Sequence, residues 1–164
     1  MPNLSPHFTL TELTVTTRPD RGDLDGDGDR AEPMPNVPTP ADIGRLTALC
    51  AEALEPARAL LAVPLKVTSG YRSPAVNAAI GGSPTSQHMK GEAADVVPLG
   101  VDAADAMRAI VGSDIPYDQV ILYPNARTPF IHISHRADGR NRRQALYSDA
   151  SGGSGGPYHP WPKP

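Results

Sequence analysis

The sequence predicts an α+β fold: a small antiparallel sheet with helices packed on one side. Three observations point to it. Four short segments, Leu65 to Ser69, Ala93 to Val97, Val120 to Tyr123 and Phe130 to Ser134, read as strands. Two longer segments, starting at Pro40 and Ala103, place apolar residues at helical spacing. The chain has 164 residues with 19 Pro and 15 Gly, enough for one domain with a core but too interrupted for an ideal helical bundle.

Taken in order, residues 8–17 fit a short helix capped by Thr9 and fit a strand equally well. From Arg18 to Pro40 the chain is rich in Asp, Gly and Pro and reads as a long loop. Thr39, Pro40 and Asp42 supply a cap, a proline at the first helical position and an acid in the first turn. That helix should reach about Leu61, with Pro56 kinking or splitting it. The strand ending at Ser69 leads into Gly70-Tyr71-Arg72-Ser73-Pro74, and a short helix from Ala75 to Ile80 stops at Gly81-Gly82. Ala103 to Val111 is a helix, and a turn around Pro124-Asn125 joins the last two strands. The expected organisation is a domain over residues 1–150, with an acidic loop insertion at 18–40, followed by a Gly/Pro-rich tail over 151–164 that acts as a linker or lies on the surface.

Composition narrows the functions. The formal net charge is −3 and no basic cluster stands out, so no nucleic-acid partner is expected. No apolar run approaches the roughly 18 residues of a membrane span, and the start Met-Pro-Asn-Leu-Ser lacks the pattern of a signal peptide. The expectation is a monomer made as a soluble cytosolic protein; action outside the membrane would need release or delivery. The single cysteine, Cys50, sits in an apolar-periodic stretch and reads as a buried core thiol.

The chemistry concentrates in Ser86-Gln87-His88-Met89-Lys90-Gly91-Glu92-Ala93-Ala94-Asp95. It sets an imidazole just before a strand and a carboxylate inside it, with small residues between them. A second imidazole, His132, lies on a later strand whose inward face alternates Phe130, His132 and Ser134. Two imidazoles and one carboxylate are a ligand set for a catalytic zinc, which keeps a fourth position for water. The spacing alone is also compatible with a polar strand-end histidine beside a capping aspartate.

With Thr68-Ser69-Gly70-Tyr71-Arg72-Ser73 upstream and Ile131-His132-Ile133-Ser134 downstream, the pattern resembles the peptidase M15 family, from about Phe8 to about Arg143. That family includes zinc D-alanyl-D-alanine carboxypeptidases and related phage endolysins, and the phage and prophage branch is the nearer likeness. The resemblance implies a hedgehog/DD-peptidase-like fold, zinc held by His88, Asp95 and His132, and hydrolysis of peptidoglycan stem or cross-link peptides. It implies that Arg72 holds a substrate carboxylate or carbonyl, a task suited to a guanidinium fork. Ser86 would steady the first motif or touch substrate. Gln119, after Asp118, would line the site. The branch usually carries a glutamate near the end of the Asp-Gln strand, able to take a proton from the attacking water. Tyr123 stands there instead, which leaves the general base unassigned. His135 and Glu92 are turned away by strand alternation. A catalytically impaired zinc-containing module that binds cell wall or serves a phage particle is therefore the alternative reading.

A second metal is suggested by Asp23-Leu24-Asp25-Gly26-Asp27-Gly28-Asp29, which reproduces the first half of a calcium loop. Asp23, Asp25, Asp27 and Asp29 would converge on the ion. The bidentate glutamate at loop position twelve is replaced by Met34, and the alternative is a solvated acidic loop.

Overall fold

A computed structural model describes residues 2–15, 35–150 and 156–162. The acidic segment with Asp23, Asp25, Asp27 and Asp29, and with it the calcium expectation, lies outside the described residues.

The ambiguous N-terminal stretch is helix α1 (Leu10–Thr14). Thr9 and Glu12 form a reciprocal capping box, and that local chemistry decides for helix over strand. A second capping box, Thr39 with Asp42, starts α2 (Pro40–Leu49). Helical backbone then continues through a π turn (Cys50–Leu54) into α3 (Glu55–Leu61). The Glu55 N–H reaches back to the Cys50 carbonyl, so the chain is widened rather than broken. Pro56 thereby falls in the first turn of α3, where its missing N–H matters least.

Six further elements follow the sequence expectation closely: β1 (Leu65–Ser69), α4 (Pro74–Ala79), β2 (Ala93–Pro98), α5 (Ala103–Val111) and the hairpin of β3 (Gln119–Tyr123) with β4 (Phe130–Ser134). A 3-10 turn (Gln87–Lys90) and two strands, β5 (Gln144–Ser148) and β6 (Tyr158–Pro160), were not expected. The sheet has six strands in the order β1-β2-β4-β3-β5-β6. All pairings are antiparallel except β3 with β5, which is parallel. The expected antiparallel sheet is corrected on this point. β4 occupies one edge of β3, so the chain leaving β4 returns along the other edge of β3 in the same direction as β3.

The described part of the tail lies along the sheet edge. Tyr158–Pro160 pair with β5, and the Trp161 N–H donates to the Ala145 carbonyl at 3.0 Å. An exposed sheet edge offers unpaired backbone groups, and β6 satisfies those of β5.

Strand alternation divides the sheet into two faces. Ala94, Val96, Val120, Leu122, Ile131 and Ile133 are buried in the core, with α5 and the π turn packed against this side. Cys50 belongs to the same core, and burial pushes its thiol up to about 12, which makes it inert as a nucleophile at neutral pH. Asp95, Ile121, Tyr123 and His132 line an open cleft on the other face. Among the described residues, no helix is long and apolar enough to cross a membrane.

Candidate metal centre

Register brings the site together. Ser69 pairs with Asp95, Asp95 with His132 and His132 with Ile121, so one row crosses β1, β2, β4 and β3. His88 reaches this row from the 3-10 turn, and its own N–H donates to the Ser86 hydroxyl that caps the turn. Two glycines make the approach possible. Gly91 closes the turn at φ +70°, and a Cβ there would meet the Asp42 carbonyl oxygen at 2.6 Å. A Cβ on Gly70 would lie 2.3 Å from the Leu13 carbonyl oxygen, because α1 packs directly against the end of β1. That leaves the Gly70 carbonyl facing His88, whose Nδ1–H donates to it at 2.7 Å. The Arg72 N–H donates to the His88 carbonyl at 3.1 Å and ties the two motifs together.

With Nδ1 occupied, His88 presents Nε2 to the cleft. His132 Nδ1 lies 2.9 Å from Asp95 Oδ1, and His88 Nε2 lies 3.2 Å from His132 Nδ1 and 3.3 Å from Asp95 Oδ1. A tetrahedral zinc with ligands at about 2.0–2.1 Å separates neighbouring ligand atoms by about 3.3 Å. The triangle therefore fits three vertices around such an ion and leaves the fourth towards the cleft. Three acceptor atoms this close repel unless a proton or cation lies among them. All three residues are buried, and they form a cluster able to hold a metal.

The electrostatics agree. Burial pushes the His88 imidazole below its ordinary value, against the pull of Asp95, and so favours the neutral ligating form. Burial would raise Asp95, but His88 and His132 outweigh it and hold the carboxyl well below the usual carboxylate range. Arg72 supports the same carboxylate: Nη2 donates to Asp95 Oδ2 at 2.9 Å while Nε donates to Ser69 Oγ at 2.9 Å. Oδ1 is thus left to the metal position.

The other expected residues are distributed around this centre. Arg72, Ser86, Gln119 and Tyr123 all line a cleft of about 360 Å³ that contains the cluster. The Gln119 amide nitrogen is taken by Gln144 Oε1 at 2.6 Å. Tyr123 stacks on Phe130 with ring centroids 4.5 Å apart, and its hydroxyl lies 3.2 Å from that of Tyr158. Burial, then the Tyr158 hydrogen bond, push its phenol above the ordinary value, so the hydroxyl stays protonated at neutral pH. His135 faces away from the cleft and bonds the Pro116 carbonyl through Nδ1. Asp95 is the single carboxylate among the described residues lining the cleft.

The lining also includes side chains that sequence reasoning did not assign to the site, among them Gln87, Arg142 and Tyr158. Gln87 Nε2 donates to Asp118 Oδ2 at 2.9 Å. The buried Asp118 also receives Arg142 Nη2 at 2.6 Å and Nε at 3.0 Å. Burial raises Asp118, but Arg142 and then Gln87 prevail and hold it below its usual range. The Asp118-Gln119 pair was visible in sequence, but nothing local marked Arg142 as its partner. Tyr158 stood in a tail with no periodic signal.

A buried two-histidine, one-aspartate cluster at the floor of a polar cleft defines a candidate metal-binding enzyme site. Residues 6–134 match the Peptidase M15 family, and the chain belongs to that family. Comparison with curated proteins gives no match. Arg142 and Tyr158 lie beyond the matched residues.

Proposed function

We propose that this peptidase uses zinc, held by His88, Asp95 and His132, to hydrolyse stem or cross-link peptides of bacterial peptidoglycan. The observation that carries the reading is the near-regular triangle of His88 Nε2, Asp95 Oδ1 and His132 Nδ1, with edges of 2.9 to 3.3 Å, at the floor of the cleft. Bound there, zinc would supply a Lewis acid for the scissile carbonyl and lower the pKa of water to about 7.

The chain's own residues prepare that chemistry. Gly70 fixes the His88 tautomer through its carbonyl, and Arg72 fixes the Asp95 rotamer. Among the described residues no hydrogen bond engages Arg72 Nη1, which is left to contact a substrate carboxylate or carbonyl. Tyr123, kept protonated by burial, serves as a hydrogen-bond donor to a peptide oxygen in place of the carboxylate base usual in the phage branch. Ser86 acts mainly through the turn that carries His88.

A second reading is favoured by one observation. No second carboxylate lines the cleft among the described residues, so a zinc-containing module that binds wall peptides without turnover is the competitor. Purified sacculi and synthetic stem peptides, one ending in free D-alanine and one amidated, separate the two. The peptidase reading expects new amines or free D-alanine that depend on zinc. Binding without release of either product would establish the competitor. Preference for the free acid would assign a carboxypeptidase, and equal cleavage of both an endopeptidase.

A further inference from the structure

The far wall of the cleft comes from the C-terminal strand β6, beyond the residues matched to the family. β6 is anchored immediately after Tyr158. His159 stacks on Tyr147 with centroids 5.0 Å apart and its Nε2 lies 3.2 Å from Asp149 Oδ2, while Trp161 is fastened to Ala145 and packs on the core. The Ser148–Tyr158 pairing places Tyr158 on the same sheet face as Ile121 and Tyr123, the face that carries Asp95 and His132. Its ring meets that of Tyr123 edge-on, 6.5 Å between centroids, yet Tyr158 remains 45% exposed. A tyrosine held in a cleft by an ordered strand, and nearly half exposed, offers contact area at little entropic cost.

The hydroxyls add a second argument. Tyr123 and Tyr158 share one hydrogen bond of 3.2 Å. Two phenols carry two O–H donors, and one shared bond uses one of them. Among the described residues no acceptor takes the other, so the pair keeps one O–H for a ligand. A donor already polarised by a neighbouring hydroxyl is the stronger for it. The ligand must offer an acceptor oxygen beside apolar carbon, and a peptide backbone with small side chains does so.

We infer that Tyr158 is a substrate-binding residue of the cleft: its ring packs on the bound peptide and the Tyr123–Tyr158 hydroxyl pair donates one hydrogen bond to a peptide carbonyl. The strand β6 is therefore part of the binding site. This deepens the peptidase reading by assigning peptide recognition to residues outside the motif-bearing region.

The test uses the full-length chain with Tyr158→Ala and Tyr158→Phe. Calorimetry measures the affinity of the zinc-stripped protein for a synthetic stem pentapeptide, and steady-state kinetics of the zinc-loaded protein measures KM and kcat on the same peptide. The emission of Trp161, the sole tryptophan, reports whether β6 stays docked. Tyr158→Ala should weaken binding about tenfold and raise KM by a similar factor, with kcat at saturation changed less than about twofold, the pattern of lost ground-state binding. Tyr158→Phe, which keeps the ring and the docked strand, should fall between Ala and wild type. Affinity and KM unchanged in both variants would overturn the inference and leave the peptidase reading intact. Tyr158-dependent binding by a wild type that never hydrolyses the peptide would overturn the peptidase reading and support the inference. An Ala variant with undocked β6 leaves the decision to Tyr158→Phe, whose wild-type affinity would overturn the inference.

Discussion

The two ends of the cleft are built differently. At the metal end, His88, Asp95 and His132 come from segments within the family match, and every side chain is held by a second group: Gly70 for His88, Arg72 for Asp95, the Asp95–His132 strand pairing for His132. At the far end, the walls come from Arg142 and Tyr158, outside the match, and their side chains are each hydrogen-bonded to one residue, Asp118 or Tyr123. Buried, supported geometry suits a metal that tolerates little displacement. Partly exposed side chains suit contact with a variable ligand. On the proposed reading, reaction chemistry sits at the metal end, and the far end adds to recognition of the substrate.

The largest expected effect tests the metal end. His88→Ala or His132→Ala should abolish stoichiometric zinc binding and lower hydrolysis at least about a thousandfold, since the Lewis acid is lost with its ligand. Elemental analysis beside a peptide assay reads both. Zinc retained in full by His88→Ala would remove that residue from the ligand set.

Next comes Arg72. Its fork serves Ser69 and Asp95 together, and lysine reproduces neither the planarity nor the spacing. Arg72→Lys should weaken zinc binding about 10- to 100-fold, as losses of outer-shell partners do, and cost roughly 2 kcal/mol of transition-state stabilisation. Competition with a chromophoric chelator measures the first and kcat/KM the second. If zinc affinity holds while only the preference for free-acid peptides disappears, Arg72 works on substrate rather than on Asp95.

Gly70→Ala sharpens the claim that backbone packing sets the His88 tautomer. The added Cβ collides with the Leu13 backbone, and overpacking of this kind costs about 1–3 kcal/mol. Urea denaturation should show that loss, and zinc affinity should fall with it. A stable variant with normal zinc affinity would show that α1 can move away without disturbing the site.

What the sequence made legible follows the same division. Helix caps, strand alternation and the motifs around His88, Asp95 and His132 are local, and they located the hairpin, α5 and the three residues that the fold gathers into one cluster. Parallel pairing of β5 with β3 is not local: Gln144-Ala-Leu-Tyr-Ser has a weak strand pattern, and only the free edge of β3 makes it a strand. The same holds for Tyr158, whose three-residue strand exists because β5 precedes it. Arg72 was read as a substrate ligand from its motif; its bond to Asp95 needed the register of β1 against β2. The carboxylate-lined base site expected of the branch is absent among the described cleft residues because Tyr123 occupies its place on β3.

The smallest expected effect concerns the far end and acid. Asp118 has a folded pKa depressed below its ordinary value by Arg142 and Gln87. A depressed carboxylate contributes stability that is present above its unfolded pKa, about 3.9, and lost as pH falls through the lower folded value. Arg142 is half-exposed, so solvent limits this to about 1 kcal/mol or less. Wild type should lose that increment on acidification below about pH 4, and Asp118→Asn should lack it. Parallel acid-denaturation curves for the two proteins would show instead that the Arg142 pair contributes nothing measurable. Zinc binding at neutral pH should be the same in both if the two ends are independent.

The most direct measurement is a titration of metal-stripped protein with zinc, following bound metal and hydrolysis of a stem peptide in the same samples. The account expects activity to rise in proportion to bound zinc and to level off at about one equivalent per chain, with Asp95→Asn showing neither the tight site nor the rise. Full hydrolysis by metal-free protein, or tight stoichiometric zinc in Asp95→Asn, would contradict it.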